Sequence, residues 1–154
     1  RHPDRAKEVL TLANQMNFKT QLYSLLSQED YEVCVIDGIG LLPDFYKGAD
    51  LALVGGSLVP RGGHNLIEPA VLGTPIIVGE HTFNFEEITA NFINQDACLL
   101  VRNKNELYEA MQSLLEDENL RSRLSKNAEE VVSLNQGSTE TQVSYILNRL
   151  GEEH

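Results

Sequence analysis

The sequence has no tryptophan, two cysteines, five prolines, and only 12 lysines and arginines against 23 acidic residues in 154 positions. Each scarcity excludes something. Cys34 and Cys98 sit inside the apolar runs "VCVI" and "ACLLV". Two such residues make no disulfide framework, so they read as small core residues of a protein in a reducing compartment. No apolar run approaches the roughly 20 residues of a membrane-spanning helix, and no signal peptide opens the chain. The formal charge of −11 sets the surface against nucleic acid and anionic lipid. Any phosphate must therefore be held by local donors. Histidines at 2, 64, 81 and 154 lack the spacing of metal ligands, so no metal site is expected.

What is present is ordinary globular material, 42% hydrophobic and 23% charged. Its length predicts one domain over 1–154 that buries about 70% of its unfolded surface. The first residue is Arg1, not methionine, which points to a piece of something longer. Apolar, β-branched runs at 18–23, 32–36, 51–55, 75–79 and 97–101 alternate with helical patterns. The helices are expected from Asp4, over 41–49 with Pro43 in the first turn, before Gly73, over "FEEITANFINQ", and over "KNELYEAMQSLLED". A long acidic helical tail fills 118–150, with a break at Gly137-Ser138. Short strands apolar on both faces between helices predict an α/β fold, a Rossmann-like parallel sheet of about five strands. In such folds ligands bind beyond the C-terminal strand ends, which singles out the loops 37–41, 55–65 and 79–86.

The densest anomaly is "VGGSLVPRGGHNLIEP", with Gly55, Gly56, Gly62 and Gly63 between a strand and a helix. Glycine admits positive φ and lets a ligand approach the backbone. The following helix start offers N–H groups that suit a phosphate, with Arg61 beside it. The spacing matches neither GxGxxG nor GxxxxGK[ST]. A phosphate cradle and a plain strand-to-helix turn both fit. Glu68 has two readings: it can accept both hydroxyls of a ribose, or complete an N-x-x-E capping box from Asn65. Pro69, without an N–H, complicates the capping reading. His64 is a donor to a phosphate or a loop hydrogen-bonder. In "HTFNFEE", Phe83 and Phe85 around Asn84 make either a hydrophobic staple or a loop that closes over a ligand.

The block "GGSLVPRGGHNLIEPAVLGTPIIVGEHTFNFEEI" (55–88) resembles the signature of the Kdo transferases. The opening "RHPDR" and the "QGS" at 136–138 are also similar to that family. Its members move 3-deoxy-D-manno-oct-2-ulosonic acid (Kdo) from CMP-Kdo to the lipid A precursor of lipopolysaccharide. The resemblance covers essentially the whole chain, but only the C-terminal, donor-binding part of the enzyme. It implies one half of a GT-B fold, with the acceptor site and the catalytic carboxylate in an N-terminal domain outside these residues. It also implies a peripheral or anchored enzyme on the cytoplasmic side of the bacterial inner membrane, this piece itself being soluble and without membrane contact.

The resemblance gives roles to residues. Gly55, Gly56 and Ser57 would lie against the donor, the serine hydroxyl near the phosphate. Gly62, Gly63, His64 and Asn65 would form the phosphate cradle, and Glu68 would hold the ribose hydroxyls. Arg1 and His2 match the family's "RHP" and would edge the cleft, with Asn84 on a cleft loop. Asp37 and Gly40 match a "D-T-x-G-E-L" loop near the base. Here that loop reads "DGIGLL", with Gly38 in place of threonine and Leu41 in place of glutamate, so only its backbone remains to serve the cytosine. CMP-Kdo is a substrate, and no cofactor is implied. No catalytic residue is expected in this chain, which should bind CMP weakly and not turn over. Two other readings fit the residues: the donor half of another GT-B glycosyltransferase or nucleotide-sugar epimerase, and a non-enzymatic flavodoxin-like interaction module.

Overall fold

In the computed structural model, residues 5–151 are described, with side chains through residue 134. Contacts divide the chain into two compact units, Arg1–Phe45 and Tyr46–His154.

In the first unit, helix α1 (Ala6–Gln15) packs on strands β1 (Thr20–Leu22) and β2 (Val33–Val35), which pair in parallel with Thr20 opposite Val33. Arg5 stands at the N-cap of α1; the expected cap, Asp4, lies outside the described residues. A 3₁₀ turn, Tyr23–Leu25, follows β1 and was not evident in the sequence. Its Ser24 donates from both N–H and hydroxyl to the carboxylate of Asp37, just past β2. The Tyr23 ring meets Phe45 edge-on, with centroids 5.2 Å apart. Helix α2 (Leu42–Lys47) runs across the boundary between the units.

The second unit holds β3 (Ala52–Leu53), α3 (Ile67–Val71), β4 (Ile76–Gly79), α4 (Glu86–Asn94), β5 (Leu99–Val101), α5 (Lys104–Glu116) and α6 (Glu118–Gly151). Its sheet is parallel in the order β3-β4-β5. Strand β4 is fully buried because side chains alternate across a pleat and both faces are covered. Ile76 and Val78 join Leu66, Ala70, Phe92 and Val131 in one cluster. Ile77 points the other way, into Val101, Leu114 and Leu124. This double cover is why "PIIVG" is apolar throughout.

The five strands and the parallel pairing fall where the sequence places them, with helices α3 to α6 around the second sheet. The strands do not join into one sheet of about five: they form a pair and a triplet. The short β3 spends its ladder on β4, Ala52 N–H donating to Pro75 O at 2.8 Å and Val54 N–H to Ile77 O at 2.9 Å. Nor is every strand covered on both faces, since Leu53 is 41% exposed and β1 only half-buried. The break expected at Gly137-Ser138 is absent, and α6 continues through it. Helix α5 begins as its sequence suggests: Asn103 Oδ1 accepts from the N–H groups of Asn105 and Glu106 at 2.9 and 3.0 Å. No helix among the described residues is long and apolar enough to cross a membrane.

Cys98 is buried and Cys34 partly buried, both as free thiols. Burial pushes the Cys98 thiol up to about 12. Cys34 is raised by burial first and by the Asp37 charge second. Both are therefore protonated thiols at neutral pH. An aromatic disulfide reagent at pH 8 should titrate Cys34 slowly in the folded chain and reach Cys98 only in denaturant. Equal native reactivity of the two would contradict this packing.

Gly79 ends β4 under the backbone of Ser57. A Cβ there would stand 2.6 Å from the Leu58 nitrogen and closer still to the Ser57 carbonyl. No flexible side chain is available to give way, so Gly79→Ala should cost at least the ~1–3 kcal/mol typical of overpacking, read as a lower thermal midpoint.

Candidate functional site

The site grows from the C-terminal ends of β3 and β4, which parallel pairing places side by side. After Val54 the chain turns at Gly55, and Ser57 goes fully inside. Its hydroxyl donates to Val54 O and accepts from Gly79 N–H at 2.8 Å. Its carbonyl accepts from His81 N–H at 2.9 Å. Ser57 thus straps the turn to the end of β4, and the phosphate contact expected of its hydroxyl is not available, because the group is buried and spent on backbone.

The turn then closes on itself. Gly63 N–H donates to Gly56 O at 3.1 Å. Gly62, buried and at φ +87, lies against the loop after β4. Asn84 reaches back to it twice: its N–H donates to Gly62 O at 3.2 Å and its side-chain amide to Arg61 O at 3.3 Å. A Cβ on Gly62 would collide with the Asn84 amide and the Phe83 ring. Of the two phenylalanines, Phe85 packs toward the core and Phe83 is 62% exposed at the loop tip. The imidazole of His64 lies 3.3 Å from where a Gly55 side chain would begin, so that glycine leaves room for the ring.

Helix α3 is only five residues long, and its cap is Leu66 in helical conformation, without a side-chain bond. Asn65 Oδ1 instead accepts from Ile67 N–H at 3.0 Å, a local turn. The capping box is therefore not formed. Glu68 is exposed and makes no hydrogen bond or ion pair among the described residues. Because the helix starts at Ile67, Pro69 falls in the first turn, where its missing N–H leaves no bond broken. The Glu68 N–H in that turn has no intrahelical partner. So short a helix has a small dipole, which leaves the turn's own N–H groups as the main donors to an anion.

Gly55, Gly56, Ser57, Gly62, Gly63, His64 and Asn65 are thus gathered in one strapped turn, with Asn84 clamped to it and Glu68 one step beyond. Gly40 lies in the first unit, exposed at φ +82, beyond the β2 end where Ser24 engages Asp37. The Ser24 hydroxyl, then its N–H, hold the Asp37 carboxyl below the usual carboxylate range. Arg1 and His2 lie outside the described residues, and so do the side chains of 136–138. Among the described residues, no cluster of three His, Cys, Asp or Glu could hold a metal ion. The links that sequence reasoning missed are the inward Ser57 hydroxyl and the Asn84–Arg61 bond. Neither has a local signal, since each joins loops more than twenty residues apart. Chemically, the turn offers neutral N–H donors, one neighbouring cation and one unengaged carboxylate, a set suited to an anion joined to a diol.

Residues 10–131 match the family described as glycosyl transferases group 1. The chain is 37% identical over 141 residues to the 3-deoxy-D-manno-octulosonic acid transferase of Haemophilus influenzae, a match covering 90% of this chain and 33% of that protein. It is 32% identical to the Bordetella pertussis transferase of the same name, covering 98% of this chain and 36% of that one. The chain spans about a third of the length of these curated relatives. Among solved structures, the C-terminal CMP-Kdo binding domain of WaaA from Acinetobacter baumannii superimposes with a TM-score of 0.81 at 32% identity, over 86% of this chain and 70% of that one. With its parallel strands, its strapped glycine turn and these matches, the chain belongs to the group 1 glycosyl transferases, as a relative of the 3-deoxy-D-manno-octulosonic acid transferases.

Proposed function

We propose that residues 1–154 are the donor-binding domain of a glycosyltransferase that moves Kdo from CMP-Kdo to the lipid A precursor. One observation carries this reading: the β3 turn, locked to the β4 loop, sits in a chain that superimposes on a CMP-Kdo binding domain. Nothing in the relatives favours an epimerase or a flavodoxin-like interaction module.

In this reading the N–H groups of Gly62, His64 and Asn65 face the CMP phosphate, with Gly55, Gly56 and Gly63 permitting its approach, the Gly63 N–H itself being held by Gly56 O. Glu68 accepts from both ribose hydroxyls, which its unengaged carboxylate suits. Ser57 supports the turn from within. As the acceptor hydroxyl attacks the anomeric carbon, negative charge grows on the departing phosphate, and fixed donors stabilise it without reorganising. The base that deprotonates the acceptor belongs to a region outside these residues, as do the acceptor site and any hold on the cytoplasmic face of the inner membrane. No cofactor takes part.

Three measurements test this. Titration with CMP should move the amides of Gly63, His64 and Asn65, with UMP and UDP weaker; a preference for UDP would turn the reading to another glycosyltransferase. Glu68→Gln should leave stability within about 0.5 kcal/mol, as for exposed sites. It should also erase the preference for CMP over 2′-deoxy-CMP, which for a hydrogen bond to a charged group is on the order of tenfold or more. Finally, the chain supplied with CMP-Kdo and acceptor should form no product.

A further inference from the structure

Resting on the donor-binding reading above, we propose that Arg61 is the charge that holds the nucleotide's phosphate, delivered to it by a backbone clamp from the neighbouring loop. Arg61 is the single lysine or arginine between Lys47 and Arg102, a stretch that holds Asp50, Glu68, Glu80, Glu86, Glu87 and Asp96. Along the sequence no other lysine or arginine of this stretch offsets its carboxylates, although Asp96 is paired by Arg123 from outside it. An anion approaching the turn meets a field of its own sign unless Arg61 cancels it.

The backbone of Arg61 is fixed from both sides. Its N–H donates to Val59 O at 2.6 Å, and its carbonyl accepts from the Asn84 amide at 3.3 Å. Its Cβ sits 3.7 Å from where a Gly56 side chain would begin, so the arginine rises directly beside the glycine cradle. Yet the residue is exposed, and its guanidinium makes no ion pair or hydrogen bond among the described residues. Arg5, Arg102, Arg121 and Arg123, by contrast, all bond a carboxylate or a carbonyl. A held backbone with an unengaged head lowers the ordering cost of binding, and the planar fork of guanidinium matches two phosphate oxygens. Asn84 is then a positioning residue that acts through Arg61 and Gly62.

The experiment compares CMP with cytidine, which has the same base and ribose but no phosphate. Wild-type chain, Arg61→Gln and Arg61→Lys are titrated by amide shifts at low and moderate salt, with thermal midpoints recorded. Arg61→Gln should weaken CMP on the order of 10- to 100-fold, the scale of a hydrogen bond to a charged partner. Cytidine binding and the midpoint should be unchanged. The salt dependence of CMP binding should flatten in Arg61→Gln, and Arg61→Lys should recover part of the loss. If CMP and cytidine weaken in proportion, or if neither changes, Arg61 does not hold the phosphate, although the donor-binding reading survives. If wild-type chain binds neither compound, the donor-binding reading fails and this proposal with it.

Discussion

The site depends on a missing side chain. Strand β4 ends at Gly79, and over that hydrogen the Ser57 peptide passes closer than any Cβ would allow. Everything in the turn follows from this approach. It brings the Ser57 hydroxyl to Gly79 N–H and its carbonyl to His81 N–H. Those bonds satisfy groups that would otherwise be buried without partners. They also fix where the chain emerges at Arg61 and Gly62, within reach of Asn84.

The rigid side of this arrangement is the sheet. Strand β4 is clasped by apolar residues on both faces, so the platform under the turn is the most protected part of the second unit. The working side is made of loops that carry few apolar contacts but many backbone bonds. That division suits a site where neutral donors must keep their aim while charge on a bound group changes. The acidic character of the chain sharpens it, because attraction for an anion has to be built locally.

Much of this was legible in the residues. The five strands and the helices of the second unit follow from apolar runs and their period, and the glycine turn announced itself by composition. Grouping of the strands into two sheets did not, since pairing partners are a long-range property and β3 shrinks to two residues beside its glycines. The Asn65–Glu68 spacing reads as a capping box, yet the helix starts one residue later than that motif requires, which leaves the carboxylate unengaged among the described residues. Ser57 illustrates the limit most clearly. The family resemblance puts its hydroxyl near the phosphate, and only the neighbouring strand end shows that this hydroxyl is turned inward.

Ser57 receives the amide protons of both Gly79 and His81, two residues on the far side of the strap. Lifting the turn away from the sheet must uncover both at the same moment. Their exchange with solvent deuterium is therefore a built-in gauge of how often the turn opens, readable without any ligand present.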